Sequence, residues 1–66
     1  MIPGDRIEFK DKTQEIYRGS YVFLKEALAK HPDTGEWYKV CIYSNNNGCF
    51  VRERNDFFDK FKKIDL

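Results

Sequence analysis

The sequence has almost no excess of charge of either sign. Twelve Lys and Arg stand against eleven Asp and Glu, a formal net charge of +1. Such a balance gives no long-range field to draw in a polyanion, so nucleic-acid affinity is expected to be weak and steeply salt-dependent. Lys10, Lys12, Lys60, Lys62 and Lys63 gather near the ends, but Asp11, Asp59 and Asp65 sit among them, as on a solvated mixed surface. Apolar runs are short, and none approaches the ~18 residues that a membrane span needs. The opening M-I-P-G-D-R lacks the basic-then-apolar order of a signal peptide, so a cytoplasmic protein is expected. There, Cys41 and Cys49 are expected as free thiols. These two cysteines and the single histidine, His31, fall short of the four ligands of a structural zinc site, so no metal is expected. The chain also lacks an activated Ser, a Cys–His pair and a glycine-rich phosphate loop. No catalytic residue, no cofactor and no enzyme activity are therefore expected.

Aromatic residues are what the chain has in quantity, at 17% of 66 residues. A chain this short makes one domain, residues 1–66, and folding buries only about 60% of the surface that the unfolded chain exposes. Each large apolar side chain therefore matters. The pattern is organised around Glu36 to Arg52, where two runs of β-branched and aromatic residues flank Asn45-Asn46-Asn47-Gly48. That is the signature of a β-hairpin. A loop at Asn45 to Gly48 sets Ser44 against Cys49, Tyr43 against Phe50, Ile42 against Val51 and Cys41 against Arg52. One face then carries Val40, Ile42, Cys49 and Val51, and the other Trp37, Lys39, Cys41, Tyr43, Phe50 and Arg52. Ile42 and Val51 are expected at the centre of the core. The cysteines, on opposite faces, are out of reach of a disulfide.

Along the chain, Ile2 to Asp5 reads as a turn, and Arg6 to Lys10 alternates as a first strand with Ile7 and Phe9 inward. Asp11 to Glu15 reads as a loop, Ile16 to Arg18 as a short extended piece and Gly19-Ser20 as a turn. Tyr21 to Lys30 begins with strand formers and ends in K-E-A-L-A-K, a run of good helix formers. The hairpin turn at His31 to Gly35 decides for a long strand, bent or bulged near Lys25-Glu26. After Arg52 the pattern breaks. One reading is a 3₁₀ turn at Asn55 to Phe58, capped by Asn55 or Asp56, then a last strand from Lys60 to Ile64. The other is a helix carrying Phe57, Phe61 and Ile64. The first is preferred because a closing strand removes the open edges. The expected fold is all-β: a small SH3-like five-stranded barrel with a short 3₁₀ or helical turn near the C-terminus.

Ala29-Lys30-His31-Pro32-Asp33-Thr34-Gly35-Glu36, then Val40 and Tyr43, then Phe50-Val51-Arg52 with Phe57 beyond, resembles a group of short bacterial proteins catalogued as a domain of unknown function. Their pattern runs Ala-Arg-His-Ser-Glu-Thr-x-Glu, an apolar strand ending near Tyr, then Trp-Val-Arg-Pro. An upstream Tyr-Arg and Tyr-x-Val element is similar to Tyr17-Arg18 and Tyr21-Val22 here. The likeness spans about Tyr17 to Phe61. It departs at Pro32, Glu53 and Asp56, where the group has Ser, Pro and Met. It implies a bacterial or phage origin and an SH3-like fold, and no particular ligand.

Two functional classes follow from the residues. Trp37, Lys39, Tyr43, Phe50 and Arg52, with His31 at the turn, form an aromatic face interleaved with cations, a surface that can grip a peptide or stack bases. The same aromatics can instead fold inward and complete the core, with Arg52 tied to Glu36 or Asp56. The expectation is a non-enzymatic binding module for a protein, including a second copy meeting edge to edge. Weak nucleic-acid binding is the alternative, as is a small inhibitor or regulator of a host enzyme using His31.

Overall fold

The computed structural model describes residues 1–11 and 19–64. Five strands, β1 (Arg6–Phe9), β2 (Ser20–Lys30), β3 (Trp37–Asn45), β4 (Gly48–Glu53) and β5 (Phe61–Lys63), form one antiparallel sheet in the order β4-β3-β2-β1-β5. A short helix, α1 (Arg54–Lys60), carries the chain from β4 at one edge to β5 at the other. The mainly β, five-stranded expectation holds. Closure into a barrel does not: among the described residues β4 pairs only with β3 and β5 only with β1, which leaves the sheet open. The segment expected as an extended piece, Ile16 to Arg18, lies outside the described residues, as does most of the loop before it.

The central hairpin has the expected register, with Tyr43 opposite Phe50 and Ile42 opposite Val51. Its turn is tighter, because Asn45 and Gly48 also pair and leave Asn46-Asn47 as the loop. The Asn45 carboxamide oxygen accepts from the Asn47 N–H at 2.8 Å, and Gly48 takes φ +152°, a value that glycine reaches without strain. The β2–β3 turn is held by the Gly35 N–H on the His31 carbonyl (2.9 Å) and the His31 N–H on the Glu36 carbonyl (2.7 Å).

In β2 the sequence K-E-A-L-A-K is a strand despite its helix formers, because pairing with β3 as far as Lys30–Trp37 outweighs a weak intrinsic preference. The bulge falls between Phe23 and Lys25, slightly earlier than expected. Leu24 is the extra residue, so the side that bears Tyr21 and Phe23 continues through Glu26 and Leu28.

The C-terminal segment combines both readings: a two-turn helix, then a three-residue strand. Its cap is Glu53 rather than Asn55 or Asp56, with the Glu53 carboxylate accepting from the N–H groups of Asn55 (2.8 Å) and Asp56 (3.1 Å).

The main core lies on the face opposite to the one expected, although Val40 of the expected face is also buried. Ile7, Phe9, Tyr21, Phe23, Cys41, Tyr43, Phe57 and Phe61 make the core. Ile42 is half-buried and Val51 is 61% exposed. The reason lies in α1 and β5. They bring Phe57 and Phe61 over one side of a single sheet, and the side with the larger apolar area gains more from that cover. Phe57 and Phe61 stack at 5.0 Å between centroids, and Phe61 meets Tyr43 at 4.8 Å.

Phe57→Ala should therefore cost roughly 3–5 kcal/mol in urea denaturation, enough to unfold much of so small a domain. Val51→Ala should cost less than about half a kcal/mol. The reverse order would restore the face with Ile42 and Val51 as the interior.

Candidate interaction surface

The six residues singled out from the sequence separate into two groups. Tyr43 is only 5% exposed, with rings of Tyr21 and Phe57 each 5.4 Å away. Arg52 is half-buried beside it. Its Nε donates to the Tyr43 hydroxyl at 3.3 Å and its Nη1 to Asp56 Oδ2 at 2.7 Å. The guanidinium also lies over the rings of Phe61 (5.7 Å) and Phe9 (6.0 Å). Arg52 is thus a lid on the aromatic core that ties β4 to α1, and its carboxylate partner is Asp56. Phe50 sits at the rim, 5.6 Å from Tyr43 and 6.0 Å from Tyr21.

Trp37, Lys39 and His31 stand apart from the core, in the open. β4 reaches along β3 only from Asn45 to Val40, and β1 pairs with β2 only from Ser20 to Val22. Beyond those limits Lys25 to Lys30 and Trp37 to Lys39 continue as a two-stranded arm, and the molecule measures 38 Å along its longest axis against 21 Å along its shortest. By strand alternation Leu28, Lys30, Trp37 and Lys39 share the side that continues the core face, and Ala27, Ala29 and Tyr38 the other. Trp37 is 62% exposed and Leu28 61%. Lys30 Nζ lies 5.8 Å from the Trp37 ring, a cation–π contact across the strands.

His31 works locally. Its Nδ1 accepts from the Asp33 N–H at 3.3 Å, and its ring lies 6.4 Å from Tyr38. His31, Thr34, Trp37 and Tyr38, with Glu36 and Glu53, line a shallow groove at the arm's root and tip. Leu28 and Tyr38 are the surface residues that the sequence reading missed. The alternation of β2 finds Leu28 once the bulge at Leu24 is known.

Among the described residues, charge pairing centres on α1. Asp56 in its first turn receives Lys60 Nζ at 2.8 Å as well as Arg52. Those two hydrogen bonds, from Lys60 first and Arg52 second, hold its carboxyl below the ordinary value of 3.8. Partial burial pulls the Arg52 guanidinium down, but the bonds to Tyr43 and Asp56 outweigh that and its pKa moves up. Burial, with the charge of Glu26 behind it, pushes the Cys41 thiol up, while Cys49 is exposed. Glu26 itself pairs with Arg54 at 2.5 Å, and Arg54 covers the Phe58 ring.

Among the described residues no three His, Cys, Asp or Glu side chains group as a metal site requires, and no helix is long and apolar enough to cross a membrane. No family model, curated protein or solved structure matches the chain.

Because the folded-state pKa of Asp56 is depressed, the stabilisation it provides is present above its unfolded value and is lost as pH falls through the folded one. Asp56→Asn should lower the urea midpoint at neutral pH, and the gap from the parent should close in acid; a gap independent of pH would contradict the pairing. In the folded, reduced protein Cys49 should react rapidly with a thiol reagent and Cys41 only on unfolding. Two equally fast thiols would place Cys41 outside the core.

Proposed function

We propose that the chain is a small non-enzymatic binding module that docks onto a protein surface through its β2–β3 arm. The observation that carries this reading is the exposure of Leu28 and Trp37, diagonal to each other on one side of a two-stranded extension of a domain whose core has few apolar residues to spare. Lys30 and Lys39 border the pair, so the fitting partner offers an apolar pocket with an acidic rim. Inhibition or regulation of a host enzyme is one form such docking takes. The strand order, with a helical turn between β4 and β5 and β5 beside β1, supports an SH3-like arrangement that has stayed open. Kinship with the short bacterial proteins of like turn pattern is part of the same proposal. Two free thiols fit a reducing cytoplasm.

Cations beside an exposed indole also suit a single-stranded base. A net charge of +1 limits that second reading to weak, salt-sensitive binding.

The test is retention of cell-extract proteins on the immobilised chain, before and after nuclease treatment. Trp37→Ala with Leu28→Ala should abolish nuclease-resistant retention, and Val51→Ala, away from the arm, should leave it intact. An unchanged set of retained proteins on the double variant would remove the arm from the binding surface.

A further inference from the structure

The outer edge of the arm carries a second feature, separate from the Trp37 side chain. Among the described residues, nothing pairs with β2 on the side away from β3 from Lys25 to Lys30. An edge of this length offers unpaired N–H and C=O groups to another strand. Its sequence, Glu26-Ala27-Leu28-Ala29-Lys30, reads as a charge-complementary palindrome about Leu28.

We infer that this edge pairs antiparallel with the same edge of a second copy of the chain, with Leu28 opposite Leu28. In that register each Glu26 faces the other copy's Lys30, and each Ala27 faces the other copy's Ala29. Directly opposed residues share a face, so Leu28 meets Leu28 between two oppositely charged pairs on the side that continues the core face. Neighbouring registers lose this match. Centring on Ala27 sets Glu26 against Leu28, and centring on Glu26 sets two carboxylates together. Centring between Ala27 and Leu28 opposes Lys25 and Lys30 and turns the core faces of the two copies to opposite sides. The edge charges that discourage foreign strands thus admit one self-pairing register.

The side chains are placed to serve it. Glu26 engages Arg54 through Oε1, which leaves Oε2 for the second copy's Lys30. Leu28 is 61% exposed in the monomer, and a facing Leu28 packs against its flank, with the outer side of both left open beside Trp37. The result is a four-stranded ribbon, β3-β2-β2-β3, that carries Trp37 near each end. A dimer so formed presents two docking surfaces on one side and gains avidity for a repeated partner.

Sedimentation equilibrium of the pure, reduced protein tests the pairing without any other macromolecule, so a negative result leaves the docking of Trp37 to be judged by its own experiment. The chain should show a concentration-dependent monomer–dimer equilibrium. Glu26→Lys or Lys30→Glu alone opposes like charges twice per dimer and should raise the dissociation constant by roughly tenfold or more. The two together restore opposite charges and should recover the dimer. As a check on register, Leu28→Cys with Cys49→Ser should form an intermolecular disulfide under mild oxidation, which also decides the matter if a charge variant fails to fold. A parent that stays monomeric, a dimer indifferent to both reversals, reversals that the combined swap does not rescue, or absence of that intermolecular disulfide would overturn the inference.

Discussion

The structure depends on one packing event, the laying of Phe57 and Phe61 onto the aromatic side of β3. A sheet of five short strands with apolar residues on both sides cannot bury both in a chain of 66 residues. The helix selects the side. Glu53 caps it as β4 ends, Phe57 lands 5.8 Å from Phe23 and 5.4 Å from Tyr43, and Phe61 arrives beside Phe9 at 4.3 Å. The same stroke delivers β5 to β1, with Phe61 opposite Phe9 in the ladder. Arg52 then closes the top of the cluster, and its bonds to Tyr43 and Asp56 couple strand to helix. Packing and connectivity are therefore one constraint, since removing Phe57 loosens both the core and the approach of β5.

This arrangement also explains what is left over. The helix covers the sheet where β4 runs beside β3, and among the described residues no strand continues β4 along β3 beyond Val40. The bulge at Leu24 keeps the core side of β2 in phase with that of β3, so the apolar stripe passes outward into Leu28 and Trp37 instead of crossing to the other side. The arm is a continuation of the core pattern past the point where the chain can cover it. That is the physical basis for reading it as an interaction surface, and the palindromic edge beside it is the part proposed to pair with a second copy.

The hairpin, its register and the turn residues were legible in the sequence, because Asn and Gly clusters and β-branched runs act over a few residues. The strand count was legible for the same reason, whereas the partner of Arg52 stayed open between Glu36 and Asp56 until α1 placed Asp56 beside it. The inward face was not. Val40, Ile42 and Val51 alternate as convincingly as Cys41, Tyr43 and Phe50, and alternation alone does not say which side a later helix will cover. Phe57 and Phe61, four apart, held the missing signal, since that spacing brings Phe57 on α1 and Phe61, the first residue of β5, together as one stacked pair over the sheet. The aromatic surface was likewise half legible: Trp37, Lys39 and His31 remain outside, while Tyr43 lies in the core and half-buried Arg52 lies over it. Glu53 as cap was hidden because Asn55 and Asp56 are better cap formers by type, and the end of β4 fixes the start of the helix instead.

Trp37, the only tryptophan, gives the most direct test of this division between a covered aromatic core and an uncovered arm. In the folded protein its fluorescence should have the emission maximum of a solvated indole, should be quenched by acrylamide nearly as readily as in the unfolded chain, and should shift little on denaturation. The near-ultraviolet circular dichroism of the buried tyrosines, by contrast, should collapse in the same transition. A blue-shifted, quencher-resistant emission that moves to the red on unfolding would put Trp37 inside the core and contradict the separation of arm from core.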